Sequence, residues 1–346
     1  MATTRIAGVG LYAPGEPITN EEIMELTGVE FDAERLREKL GIDRRHIAHL
    51  RNLDETTADF AERAAREAIE DAGADPMDVG LFVVGTDTPE YISPSTAVLI
   101  QGRIQGGQHT AASFDVNTSC AGFVTSLDVA ARMLGSTPHL RYAVVVGVYN
   151  MPRYVREGDA FGYGIFADGA GAVLLERVDG PDTSTPGDHA VRASEYTDSE
   201  FVTDGTQWDF VGVYAGGTRT PVTHELLEAD TYGLENLKRL PGDRNIKLWP
   251  PLVRSLMSRN GLRESDVDHI IFTQINRSVI TEVMSILELP MEKTTTIMDR
   301  YGYTGSGCVP MAFYHAVKEG QVKRGDRVVL VASGAGLSVG ANLLTY

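Results

Sequence analysis

The feature that most constrains the fold of this chain is a repetition of its own first half. Ala72-Gly73, Asp78-Val79 and the apolar run Leu81-Phe82-Val83-Val84 return as Asn260-Gly261, Asp266-Val267 and His269-Ile270-Ile271-Phe272, at a constant offset of 188 residues. Tyr142 to Gly147 is answered by Arg327 to Ala332 at an offset of 185, and Asp115 by Asp299 at 184. One unit occurring twice at half-chain length predicts two similar α/β halves, 1–178 and 189–346, sharing a core. Asp179 to Asp188, rich in Pro, Gly, Ser and Thr, is the expected linker.

Within each half the pattern alternates between strands and helices. Residues 5–12 read as a first strand, and Thr56 to Ala72 as an alanine-rich amphipathic helix. Val79 to Thr86 and Tyr142 to Val148 are continuous apolar runs, the pattern of parallel strands buried on both faces. Gly162 to Leu175 reads as a glycine-rich turn running into a strand. Neither it nor Gly8 and Gly10 has the spacing of a dinucleotide site. Ala111 to Val116 predicts a short strand and Ala121 to Leu134 a helix, so Cys120 falls at a strand-to-helix turn. Unpaired N–H groups and the helix dipole favour a thiolate there. Cys120 is therefore the candidate nucleophile, with a lowered pKa expected. A small buried cysteine packing like any hydrophobe is the competing reading.

Composition excludes several classes. A net charge of −17 argues against nucleic acid and anionic membrane surfaces as partners. No run of about 18 apolar residues spans a membrane. Cys120 and Cys308 are the only cysteines, which rules out a disulfide framework. His46 and His49 lack a third ligand, so no metal site is expected. The chain starts without a charged segment leading into an apolar signal core, and a cytoplasmic protein is expected.

Four collinear segments carry a resemblance. They are Gly41-Ile42 with Arg45-His46-Ile47-Ala48, Asp115 to Phe123, Phe166 to Ala172, and Ser333 to Gly340. Together they resemble the thiolase superfamily and, within it, the ketoacyl-acyl-carrier-protein synthase III family, over essentially the whole chain. The resemblance implies a thiolase-like five-layered αβαβα fold with internal duplication, and a homodimer. It implies an acyl group carried on Cys120, with acyl-CoA or acyl-carrier-protein phosphopantetheine as substrate and no permanently bound cofactor. It also implies an oxyanion hole made by the backbone N–H groups of Cys120 and Ala335, with Gly334 and Gly336 letting that backbone approach.

Two departures from the family bear on the chemistry. The histidine of the family's Pro-His-Gln-Ala-Asn segment is Thr273 in Phe272-Thr273-Gln274-Ile275-Asn276, and the asparagine of His-Gly-Asn-Thr is Tyr303 in Tyr301-Gly302-Tyr303-Thr304. A threonine hydroxyl cannot serve as a base or carry positive charge near neutral pH, so ordinary malonyl decarboxylation is expected to be lost. Asn276, Gly302 and Thr304 keep the register and are expected at the pocket. Tyr303 is a replacement donor, a base if its pKa is lowered, or an aromatic filling the malonyl subsite. Glu90 and His224 are further proton-transfer candidates.

The adenine-clamping tryptophan and arginine of coenzyme A-using members fall near Arg35 and Ala160, which favours a carrier-protein-bound donor. Arg44, Arg45, Lys238, Arg239, Arg244 and Lys247 are the expected basic dock for that carrier. The leading expectation is an acyltransferase of specialised (polyketide or related) biosynthesis that loads Cys120 and passes the acyl group to a second substrate. The alternatives are a decarboxylating 3-oxoacyl-acyl-carrier-protein synthase using replacement residues, and a non-catalytic subunit paired with an active homologue.

Overall fold

The computed structural model describes residues 2–179 and 192–346. Apart from Asp179, the expected linker lies outside them. The elements that build the site are, in chain order, β1 (Thr3–Tyr12), α1 (Thr57–Asp71), β2 (Val79–Gly85), α2 (Thr96–Gln105), β3 (Ala112–Val116), α3 (Gly122–Ser136), β4 (Tyr142–Tyr149) and β5 (Gly169–Val178). They continue with β6 (Glu195–Gln207), α4 (Arg244–Arg259), β7 (His269–Phe272), α5 (Arg277–Ile286), α6 (Cys308–Lys318), β8 (Arg327–Gly334) and β9 (Gly336–Thr345).

The first sheet runs in the order β1-β5-β4-β2-β3 and the second in the order β6-β9-β8-β7. In both, the first two pairings in that order are antiparallel and the rest parallel, β4–β2 and β2–β3 in the first sheet and β8–β7 in the second. A parallel bridge between Ile270 and Thr294 stands where β3 pairs in the first sheet. The two sheets thus have one topology, as the half-chain offset requires.

Helices α3 and α6 lie between the sheets, α1 and α2 cover the outer face of the first, and α4 and α5 cover the second. The result is a thiolase-like αβαβα stack. Alternation along the apolar strands sets it up. Leu81, Val83, Ala143 and Val145 join the central core, while Phe82, Val84, Val144 and Val146 face the outer helices. Such runs have no polar face because both faces are covered.

Gly8 and Gly10 serve this packing. A Cβ at either would lie 2.3 Å from the Ala68 carbonyl oxygen or 2.1 Å from that of Ala64, so β1 touches the alanine-rich face of α1 directly. The glycine-rich segment differs from expectation at its start. Ala160–Ile165 is a short helix, capped by Asp159 through Phe161 N and Gly162 N, before β5 begins. An aspartate that satisfies the orphan N–H groups lets even Gly162 and Gly164 turn helically.

Candidate active site

The carboxyl ends of the parallel strands from both sheets converge on one pocket, the usual place for a site in such sheets. The first half supplies Asp87 after β2, Ser119 and Cys120 after β3, and Tyr149 at the end of β4. The second supplies Thr273 and Ile275 after β7, Gly334 and Ala335 at the end of β8, and Arg244 and Asn245 from the first turn of α4. Phe161, Phe166, Val211, Leu234 and Leu240 make most of the remaining wall apolar.

The turn bearing Cys120 is tightly held. Asp115, at the end of β3, accepts from Thr96 N at 2.7 Å and Ala97 N at 2.8 Å, capping α2 and fixing the strand end. Asn117 accepts from Ser119 N, and Ser119 takes a left-handed φ of 50°. A non-glycine residue there costs roughly 1–3 kcal/mol and persists only where its surroundings impose it. The Ser119 hydroxyl donates to Asp87 Oδ2 at 2.7 Å and lies 3.7 Å from Cys120 Sγ. Gly334 lies hard against the turn. A Cβ there would be 2.3 Å from the Thr118 carbonyl oxygen and 3.1 Å from Cys120 N, so only glycine lets the two loops meet.

Electrostatics at the sulfur run opposite to the helix-mouth expectation. Protein surrounds Cys120 except where it opens on the pocket, and burial, followed by repulsion from Asp87, pushes its thiol up to about 12. The hydroxyls of Tyr303, Ser119 and Tyr149, which face the sulfur, pull the other way. The Asp87 carboxyl is itself raised by burial, against the Ser119 hydrogen bond, and its Oδ1 is sealed from solvent with no partner. Local helix geometry favours a thiolate, but desolvation in this enclosure outweighs it.

Tyr303 is 3% exposed, anchored by Ala167 N donating to its carbonyl at 3.0 Å, with its ring about 6 Å from those of Tyr149 and Phe166. Burial raises its phenol well above 10, as it does that of Tyr149. Tyr303 thus keeps its phenolic proton, and the expectation of a lowered-pKa base does not hold. Thr273, 1% exposed, accepts from Ser333 N at 3.0 Å, and Ser333 Oγ accepts from Trp249 Nε1 at 2.6 Å. This chain ties β7, β8 and α4 together. Among the described residues lining the pocket there is no histidine.

The sequence relatives of this chain match it from end to end. The description "3-Oxoacyl-[acyl-carrier-protein (ACP)] synthase III" matches residues 114–190, and its C-terminal counterpart residues 257–346. The β-ketoacyl-[acyl-carrier-protein] synthase III of Methylococcus capsulatus is 34% identical over 343 residues, spanning 99% of each chain. The chain belongs to the 3-oxoacyl-acyl-carrier-protein synthase III family. The crystal structure of the Aquifex aeolicus member superposes with a TM-score of 0.82 at 27% identity, covering 99% of this chain and all of that one. The priming β-ketosynthase of the R1128 polyketide pathway gives 0.83 at 25% identity, covering 99% and 96%.

Several residues expected at the site of this family member lie elsewhere. Glu90 accepts from Thr56 Oγ1 and from Ala58 N, both at 2.8 Å, so both carboxylate oxygens are engaged at the start of α1. His224 is exposed at the start of a five-residue helix and does not line the pocket. Asn276 caps α5 through Val279 N, and Thr304 is buried with its hydroxyl on Met311 Sδ at 3.3 Å. Gly302 packs on Arg45, and Gly336 lies outside the lining, its α-carbon facing open space. Only Gly334 of those pocket glycines is in place.

The basic dock is present only in part: Arg44 and Arg239 are exposed, and the other four residues are paired or enclosed. Arg45 is wholly buried, donating to the Tyr163 and Gly164 carbonyls at 2.7 Å. Lys238 and Lys247 pair with Asp209 and Asp243, each at 2.5 Å, and Arg244 belongs to the pocket. Asp87, Tyr149 and Asn245 escaped the sequence reading. Asp87 alone left a trace there, as a carboxylate immediately after an apolar parallel strand, where such sheets place their sites.

Proposed function

We propose that this protein is an acyltransferase that captures an acyl group from a coenzyme A or carrier-protein thioester on Cys120 and passes it to a second nucleophile without decarboxylating a malonyl unit. The observation that carries this reading is the composition of the pocket: a sulfur, a carboxylate and two phenols, with a threonine and a tyrosine where the family's imidazole and amide are expected. In the first step the Cys120 proton passes through Ser119 Oγ to Asp87 Oδ2, and the thiolate attacks the thioester carbonyl carbon. Backbone N–H groups of Cys120 and Ala335 hold the oxyanion, and Tyr303 and Tyr149 steady the sulfur. Collapse breaks the bond to the carrier sulfur, which leaves with the proton returned from Asp87. In the second step an O–H, N–H or C–H nucleophile takes the acyl group, and its proton follows the same path.

The relay replaces a costly charge with a shared one. With Asp87 ionised, a thiolate beside it is opposed; once the proton has moved to Asp87 the pair still bears a single negative charge. The reading includes halves 1–178 and 189–346, a cytoplasmic setting and a homodimer. In favour of the last, β3 ends its sheet with no strand on its outer edge among the described residues, and Phe114 and Val116 on it are half-buried. The place in specialised, polyketide-like biosynthesis draws on the likeness to the priming synthase. The test is release of labelled carbon dioxide from malonyl thioester by acyl-loaded protein. Transfer of acyl to an added acceptor with no release supports the reading; release at the rate of a decarboxylating relative overturns it.

A further inference from the structure

Arg244 stands out in the charge pattern. The chain carries 48 acidic against 31 basic residues, and most part-buried arginines are engaged by a carboxylate or by carbonyl oxygens. Arg244 is part-buried, lines the pocket, and has neither an ion pair nor a side-chain hydrogen bond among the described residues. It lines the same pocket as Cys120 and Tyr303. A guanidinium remains charged in such a setting and presents unpartnered N–H donors to the pocket.

Two neighbouring features bear on what a ligand there carries. Arg244 opens α4, a helix of 16 residues whose N-cap, Asp243, makes no side-chain capping bond and pairs with Lys247 instead. The positive end of that helix is therefore left open. Next to it, Asn245 Oδ1 is shielded from solvent with no partner. A buried amide oxygen accepts hydrogen bonds, so it does not favour the anion itself and calls for an N–H or O–H on the ligand beside a carboxylate.

We infer that the pocket binds a carboxylate, held by Arg244, on one of the two reacting molecules. This rests on the acyl-transfer reading above and names its substrate class. The phosphate of a pantetheine arm does not fit the role, because it sits a full arm's length from the sulfur that meets Cys120. The carboxylate is either the far end of a dicarboxylic acyl group or part of an acidic acceptor. An ion-paired carboxylate is stabilised as it stands, which also disfavours its loss as carbon dioxide.

Binding is tested first, without acyl transfer, by protection of Cys120 against iodoacetamide at pH 9 in the full-length protein. Hexanoate is expected to protect at lower concentration than hexanamide, and Arg244→Leu to collapse that preference by about tenfold, as loss of a charge-assisted pair does. Arg244→Lys, which keeps the charge but not the planar fork, is expected between the two and guards against a folding defect. Equal protection by acid and amide in the unaltered protein, or an unchanged preference in Arg244→Leu, overturns the inference. The source is then assigned by comparing glutaryl-CoA with butyryl-CoA for loading, and 3-hydroxybutyrate with its amide for unloading butyryl-Cys120. If no thioester loads Cys120, the acyl-transfer reading falls while the protection result still stands on its own.

Discussion

The two halves bring equivalent strand ends to one pocket and furnish them with different chemistry. The first half delivers groups that exchange or donate protons: Asp87, Ser119, Cys120 and Tyr149. The second delivers a backbone edge at Gly334 and Ala335, an arginine, one phenol at Tyr303, and Thr273, whose hydroxyl ties Ser333 in place. The two cysteines show the same contrast. Cys120 precedes α3 and opens on the pocket, whereas Cys308 begins α6 wholly buried, its sulfur accepting from Gln274 N at 3.4 Å and its thiol pushed up by burial. A duplicated scaffold fixes where groups stand; the side chain at each strand end decides what they do.

The sharpest way to break this division is to neutralise the carboxylate on the first-half side. Asp87→Asn should slow acyl loading of Cys120 by about 10²–10⁴, the usual cost of losing a proton acceptor. The same change removes the negative charge that lifts the thiol, so iodoacetamide should label Cys120 faster at pH 8 than in the unaltered protein. The sign follows from the shift. Asp87 raises the Cys120 pKa, and its neutralisation lowers it, giving more thiolate at a fixed pH. Slower loading with faster labelling is a pair of effects that simple disruption does not produce.

On the second-half side, Gly334→Ala places a methyl 2.3 Å from the Thr118 carbonyl oxygen and must separate Ala335 from Cys120. Loading measured by stopped-flow release of free thiol should fall by about 10², comparable to loss of one oxyanion donor. The smallest effect is expected at Thr273. Thr273→Val leaves the buried Ser333 N–H without its acceptor and should cost about 1–3 kcal/mol in urea unfolding. If Thr273→Val leaves unfolding unchanged, the tie between β7 and β8 is not what that hydroxyl provides.

Much of this was legible in the sequence, for identifiable reasons. Apolar runs such as Tyr142 to Val148 encode strands buried on both faces, and the constant offset encodes the shared topology of the sheets. Cys120 was legible because its turn is local, a strand followed directly by a helix. The rest of the site depends on where strand ends from residues far apart meet. Asp87 sits in Thr86-Asp87-Thr88-Pro89, a string that reads as an ordinary loop. Arg244 reads in the sequence as one of six residues of a surface dock, and only the start of α4 at the pocket gives it another place. Glu90 misled in the opposite direction, since its carboxylate serves the start of α1. The pKa of Cys120 failed for the same reason, because enclosure is a property of the assembled halves and not of the turn.

The account stands most directly on whether Cys120 accepts an acyl group at all in a pocket without imidazole. Intact-protein mass spectrometry after incubation with butyryl thioester, on the unaltered protein, Cys120→Ala and Cys308→Ala, measures this. One added butyryl group on the unaltered protein and on Cys308→Ala, and none on Cys120→Ala, is the predicted result. Folded protein that gains no acyl mass, or gains it equally in Cys120→Ala, contradicts it.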